Sequence, residues 1–152
     1  NVPKPFLAML DAPGLAEAIQ SVGATIRYGS TLPDDLRELA ILTAAARADC
    51  GYEWNHHLPI GKAAGLEPAA IAAARGGAAG KAPRAQQAAV ISLCLEAFAG
   101  GKATSDTLAA AIEELGRTGA TEVVAIAGYY PLLAGFIRTA GFDEEFEPLP
   151  EG

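Results

Sequence analysis

The sequence predicts an all-α fold, and three observations carry that prediction. Alanine recurs along the whole chain, β-branched runs bounded by turn signals are absent, and apolar residues return at intervals of three and four. Hydrophobic residues make up 51% and charged residues 19%, a globular balance rather than a disordered one. At 152 residues the chain is expected to form one domain over 1–152, long enough to bury a core.

A short Pro-containing lead precedes one brief helical turn, Phe6 to Leu10. Asp11 is the expected cap of a helix from about Ala12 to Arg27, with Pro13 in its first turn. Leu15, Ile19, Val22 and Ile26 form its apolar stripe, and Gly29 ends it. Thr31, Pro33, Asp34 and Asp35 then supply a capping hydroxyl, an early proline and first-turn acids. The helix they open runs to about Ala48 and offers Leu36, Leu39, Ile41, Leu42 and Ala45 for burial. Asp49-Cys50-Gly51 breaks it, and the helix that follows stops at Gly65.

Leu66-Glu67-Pro68 starts a short helix to about Arg75, and Gly76 to Gly80 reads as a flexible loop. Pro83 to Phe98 is helical, with Val90, Leu93, Cys94 and Ala97 on one face. Thr104-Ser105-Asp106 caps a helix that ends near Arg117. Thr121 to Thr139 is the most apolar segment, expected to kink at Pro131 and to serve as a central or subunit-interface helix. The tail 141–152, rich in acids and prolines, reads as an exposed arm beyond a core of about 32–140.

Net charge is −7 and pI about 4.7, with no Lys/Arg cluster, which argues against nucleic acid or an anionic membrane as partner. No uninterrupted apolar run approaches the roughly 20 residues that span a bilayer, so no membrane is expected. Cys50 and Cys94 form no CxxC, which points to reduced thiols and a cytoplasmic location.

Chemistry concentrates between Cys50 and His57. Both histidines, the single tryptophan and one of two cysteines fall there. On a helix, Glu53 and His57 are i,i+4 neighbours and Cys50 lies one turn before Glu53. A thiol, a carboxylate and an imidazole so stacked can exchange protons, and Arg37 and Glu38 add a cation and a second carboxylate. The helix dipole should favour a Cys50 thiolate. His56 points about 100° away from His57. Tyr52 and Trp54 either pack or line a pocket for a flat substrate. Glu53, His56 and His57 lack an established metal-ligand spacing, and no cofactor is expected.

Arg37-Glu38-Leu39-Ala40-Ile41-Leu42, followed by Tyr52-Glu53-Trp54-x-x-His57 and a helix ending Ala63-Ala64-Gly65-Leu66, resembles the carboxymuconolactone decarboxylase and alkyl hydroperoxidase D superfamily. Asp106–Leu115 and Glu122–Tyr130 are similar to its C-terminal half. The resemblance implies an alkyl hydroperoxidase D-like domain of about six to eight helices around a helical hairpin, assembled as a homotrimer or homohexamer. The peroxide-reducing branch has a glutamate, a Cys-x-x-Cys pair and a histidine. Glu38, Cys50 and His57 match it, but Glu53 stands where the second cysteine belongs, so a dithiol cycle is closed off. The decarboxylase branch has an arginine, no cysteine and a Glu-x-x-x-His pair; Arg37, Glu53 and His57 match, while Glu38 and Cys50 depart.

The leading expectation is a cofactor-free enzyme that decarboxylates or isomerises a small carboxylated lactone or ring. Arg37 holds a carboxylate, His57 protonates the carbon left by carbon dioxide, and Glu53 orients the imidazole. The alternative is a thiol-dependent peroxidase in which Cys50 forms a sulfenic acid recycled by an outside thiol. A third reading is a non-catalytic helical oligomer that carries Glu53 and His57 at a cost to its stability. Against these stand plainer roles: a helix-face ion pair for Glu53 and His57, a structural salt bridge for Arg37, and core filling for Cys50 and Cys94.

Overall fold

Every regular element among the described residues is helical, as expected. The computed structural model describes residues 2–100 and 102–151. Among these, the order is α1 (Lys4–Leu7), α2 (Pro13–Tyr28), α3 (Asp34–Arg47), α4 (Gly51–Ala63), α5 (Pro68–Gly76), a short 3-10 turn (Ala79–Lys81), α6 (Ala85–Phe98) and α7 (Ser105–Thr139).

The axis of the molecule is α3. Leu36 and the run Glu38 to Ala45 are buried on every side of the helix, which only a central position allows. It packs against α4, α5, α6 and α7. The most central helix is therefore α3, while the Thr121–Thr139 segment, expected to be central or at a subunit interface, buries one face against α3 and α6. Asp49, in the left-handed region at φ 51°, turns the chain out of α3. The Cys50 amide donates back to the Ala45 carbonyl and Arg138 donates to the carbonyls of Ala48 and Asp49, so the exposed end of α3 is satisfied. The tight turn lays α4 against α3 as a helical hairpin.

Several expected caps are absent. Ala12, not Asp11, is the residue before α2, and Pro33 rather than Thr31 precedes α3; neither position shows a side-chain cap. The Thr31 hydroxyl and amide, with Ser30, instead donate to the Glu122 carboxylate, tying this loop to α7. The short first helix lies at Lys4–Leu7, earlier than Phe6 to Leu10. The α2 stripe is only half buried: Ile19 and Ile26 are in the core, while Leu15 and Val22 are 51% and 47% exposed. Thr104 does cap α7, its hydroxyl accepting from the Thr107 amide.

Helix α7 comprises two helical segments, as the sequence separated them, that meet at a kink close to the expected break near Arg117. Its backbone departs from helical angles at Gly116 (φ 74°, ψ 167°), a conformation glycine tolerates, and not at Pro131. One window of α7 is long and apolar enough to cross a membrane by length and composition. Half of that window is buried inside the protein, the behaviour of a core helix. Segment 76–80, expected as a flexible loop, turns through left-handed Gly77 into the 3-10 turn.

The tail is tethered rather than free, although much of it is exposed. Asp143 accepts hydrogen bonds from the Tyr52 amide and the Cys50 thiol. Asn55 donates to Glu144 and Glu145 and accepts from the Glu147 amide. Phe146 lies 6.0 Å from the Trp54 ring, and the Arg75 guanidinium sits 3.7 Å from the Phe146 ring centre. Gly51 makes this possible, because a Cβ there would collide with the Glu144 carbonyl.

Candidate active site

Residues of the α3/α4 hairpin supply a buried line of three ionisable groups. His57 is 3% exposed and Glu38 and Glu53 are 2% and 3% exposed. His57 Nδ1 lies 2.7 Å from Glu38 Oε2, and Nε2 lies 3.7 Å from Glu53 Oε2. Glu38 comes from the first turns of α3 and His57 from the middle of α4, which the antiparallel hairpin brings together. In the neutral imidazole, a carboxylate at 2.7 Å keeps the proton on Nδ1 and leaves Nε2 as the basic nitrogen facing Glu53. The group that orients the ring is Glu38, not Glu53.

Glu53 faces a small cavity of about 60 Å³. Its wall includes His57, His56 and Tyr52 of α4, Tyr129 and Tyr130 of α7, Gly23 and Arg27 of α2, and Phe6 of α1. Tyr130 stands edge-on to His57, with ring centres 5.3 Å apart and planes at 90°. The Tyr129 hydroxyl donates to the Ile19 carbonyl at 3.0 Å and passes where a Cβ on Gly23 would stand. Burial pushes the Glu53 carboxyl up to about 7, although His57 and Arg27 pull it down. Glu53 is thus a weak acid poised near neutrality. Burial holds His56 below, and Tyr130 well above, their ordinary values.

The other residues singled out in the sequence divide. Tyr52 and His56 reach the cavity and stack on each other, with ring centres 6.3 Å apart. Trp54 does not line it: fully buried, it packs under Phe146 with Arg75 over its ring at 4.9 Å. Arg37 does not line it either. It pairs with Asp34 at 2.8 Å and lies 3.5 Å from Glu38, bracing that carboxylate from outside the cavity. The Cys50 side chain is fully buried and lies outside the cavity wall. Its thiol is pushed up to about 12, first by burial and further by the Asp143 and Glu53 carboxylates. These outweigh the backbone hydrogen bond that favours the thiolate. Cys94 is buried in the core, and both cysteines are free.

Arg27, Tyr129 and Tyr130 were missed as site residues. Gly128-Tyr129-Tyr130 stood out only as part of a family likeness, and Arg27 carries no local signal because its approach to α4 is tertiary. Among the described residues, no group of three or more His, Cys, Asp or Glu side chains is arranged to hold a metal ion.

Compared with the curated proteins, the chain matches none. A protein-family model described as the carboxymuconolactone decarboxylase family matches residues 13–92, which include Arg27, Glu38, Glu53 and His57. The match spans more than half of the sequence, from α2 well into α6, and takes in the whole hairpin. The chain belongs to the carboxymuconolactone decarboxylase family.

Proposed function

We propose that this protein is a cofactor-free acid–base enzyme that decarboxylates a small carboxylated lactone or ring. The observation that carries the reading is the Glu38–His57–Glu53 line, with a carboxyl near pKa 7 at the cavity end. The bond from a ring carbon to its carboxylate breaks, and carbon dioxide leaves. The electron pair stays on that carbon, delocalised into the lactone carbonyl as an enolate. The Glu53 carboxyl then gives its proton to the carbon and is reprotonated from water. His57, held by Glu38, stabilises the Glu53 carboxylate formed in that step. This revises the sequence expectation, in which His57 was the direct proton donor and Glu53 its support.

The peroxidase alternative finds little support. A nucleophilic thiol must be accessible and ionised, whereas Cys50 is fully buried and its thiol lies near 12. The test is carbon dioxide release from carboxymuconolactone by the wild-type protein, Glu53→Gln and His57→Ala. Release by the wild type that falls about 100-fold or more in both variants is expected. No release by the wild type, or equal release by all three, rejects the reading.

A further inference from the structure

Among the described residues, Arg27 is the one guanidinium on the cavity wall. It is half-buried near the last turn of α2, one helical turn beyond Gly23, which lines the same wall. Its Nε is fully buried and has no hydrogen-bond partner. Among the described residues no carboxylate lies within ion-pair distance of it; its one close charge-related contact is the Tyr28 ring, 5.5 Å away. A buried donor without a partner is costly and calls for an explanation.

The charges around the cavity sharpen the point. Any positive charge on His57 is matched by Glu38 at 2.7 Å. Arg27 is near enough to influence Glu53, His56, Tyr129 and Tyr130, yet none of these binds it. Burial keeps Glu53 from being fully ionised near neutral pH, so the Arg27 charge on the wall is only partly compensated. A planar fork of donors on a wall that also carries aromatic rings and apolar side chains suits a carboxylate on a small flat ring.

We infer that Arg27 clamps a substrate carboxylate, and that it is the carboxylate the reaction retains. The inference rests on the decarboxylase reading. An ion pair to the departing carboxylate would be lost as carbon dioxide forms, so it would stabilise the ground state over the transition state and slow the reaction. A pair to a second carboxylate persists throughout and fixes the ring against Glu53.

The test needs no turnover. A flat ring monocarboxylate, 2-furoate, and its neutral amide, 2-furamide, are titrated calorimetrically into the full chain as wild type, Arg27→Gln and Arg27→Lys. In the wild type, 2-furoate should bind about ten-fold or more tighter than 2-furamide. That preference should vanish in Arg27→Gln and survive in part in Arg27→Lys, which keeps the charge but not the fork. No anion preference in the wild type, or an equal preference in both variants, overturns the inference. Should Arg27→Gln fail to fold, Arg27→Lys decides, because an undiminished preference there is also a refutation. Arg27-dependent furoate binding without carbon dioxide release would reject the chemistry and leave the carboxylate site standing. Carbon dioxide release without such binding would do the reverse.

Discussion

Glu38 and His57 are 19 residues apart in the chain and 2.7 Å apart in space. Both are buried, and Arg37 lies 3.5 Å behind the same carboxylate. The carboxylate therefore fixes both the ring plane and the nitrogen that faces Glu53. Glu38→Gln keeps the shape but removes the charge that selects the tautomer. We expect kcat to fall about 100-fold or more while KM changes little, since Glu38 does not line the cavity. Steady-state kinetics on carboxymuconolactone separate the two; a rise in KM alone would mean that Glu38 serves binding.

Glu53 should make stability depend on pH. Its carboxyl ionises near 4.5 in the unfolded chain and near 7 in the folded one. Its contribution is fully present below about 4.5 and is lost as pH rises through about 7, because the unfolded chain releases a proton the folded chain keeps. The loss is on the order of 3 kcal/mol at alkaline pH. Glu53→Gln should remove that slope, leaving the variant more stable than wild type above pH ~8 and inactive. Urea denaturation of both proteins across this range measures it; parallel curves would show that Glu53 is ionised throughout.

Cys50→Ala should leave carbon dioxide release unchanged and cost roughly 1–2 kcal/mol of stability through the small void it leaves in the core. Wild-type protein treated with peroxide should give no sulfenic acid adduct at Cys50. An adduct, or turnover lost in the variant, would mean that the thiol is reached by opening of the surrounding chain.

Gly51→Ala sets two effects against each other. Alanine favours the helix by up to about 1 kcal/mol, whereas its Cβ collides with the Glu144 carbonyl, and overpacking of this kind costs about 1–3 kcal/mol. The clash should win and lift the tail from α4. Trp54, the sole tryptophan and buried beneath Phe146, would report it as a red-shifted emission. Phe146→Ala should give the same shift; unchanged emission in both variants would show that the tail does not cover the indole.

Local chemistry was legible in the sequence, and long-range approach was not. The Glu53–His57 spacing, the hairpin break at Asp49-Cys50-Gly51 and the stop at Gly65 follow from helical period and turn residues, and each is where it was expected. The roles of Arg37 and Arg27 were not legible. Two arginines near helix ends look alike until the packing of α2 on α7 carries one to the cavity. Cys50 misled because the dipole argument is local, whereas its thiol is raised first by tertiary burial and further by the charge and hydrogen bond of Asp143, 93 residues away. The tail is largely exposed, as expected, but its acids and prolines do not reveal the Asn55 and Tyr52 groups that tether it.

Lys4 and Glu144 meet at 2.8 Å across 140 residues of sequence, beside a cavity whose wall includes Pro3, Pro5 and Phe6. The acid–base line is set by a neighbouring pair of helices, but the wall around it includes residues brought in by contacts of far greater sequence separation. Terminal segments open locally more readily than a packed helical hairpin. Each opening would return Glu53 to water and to the acidity of an ordinary carboxyl. The exchange rates of amides in the lead and the tail would then set how often the site is able to act as an acid at neutral pH.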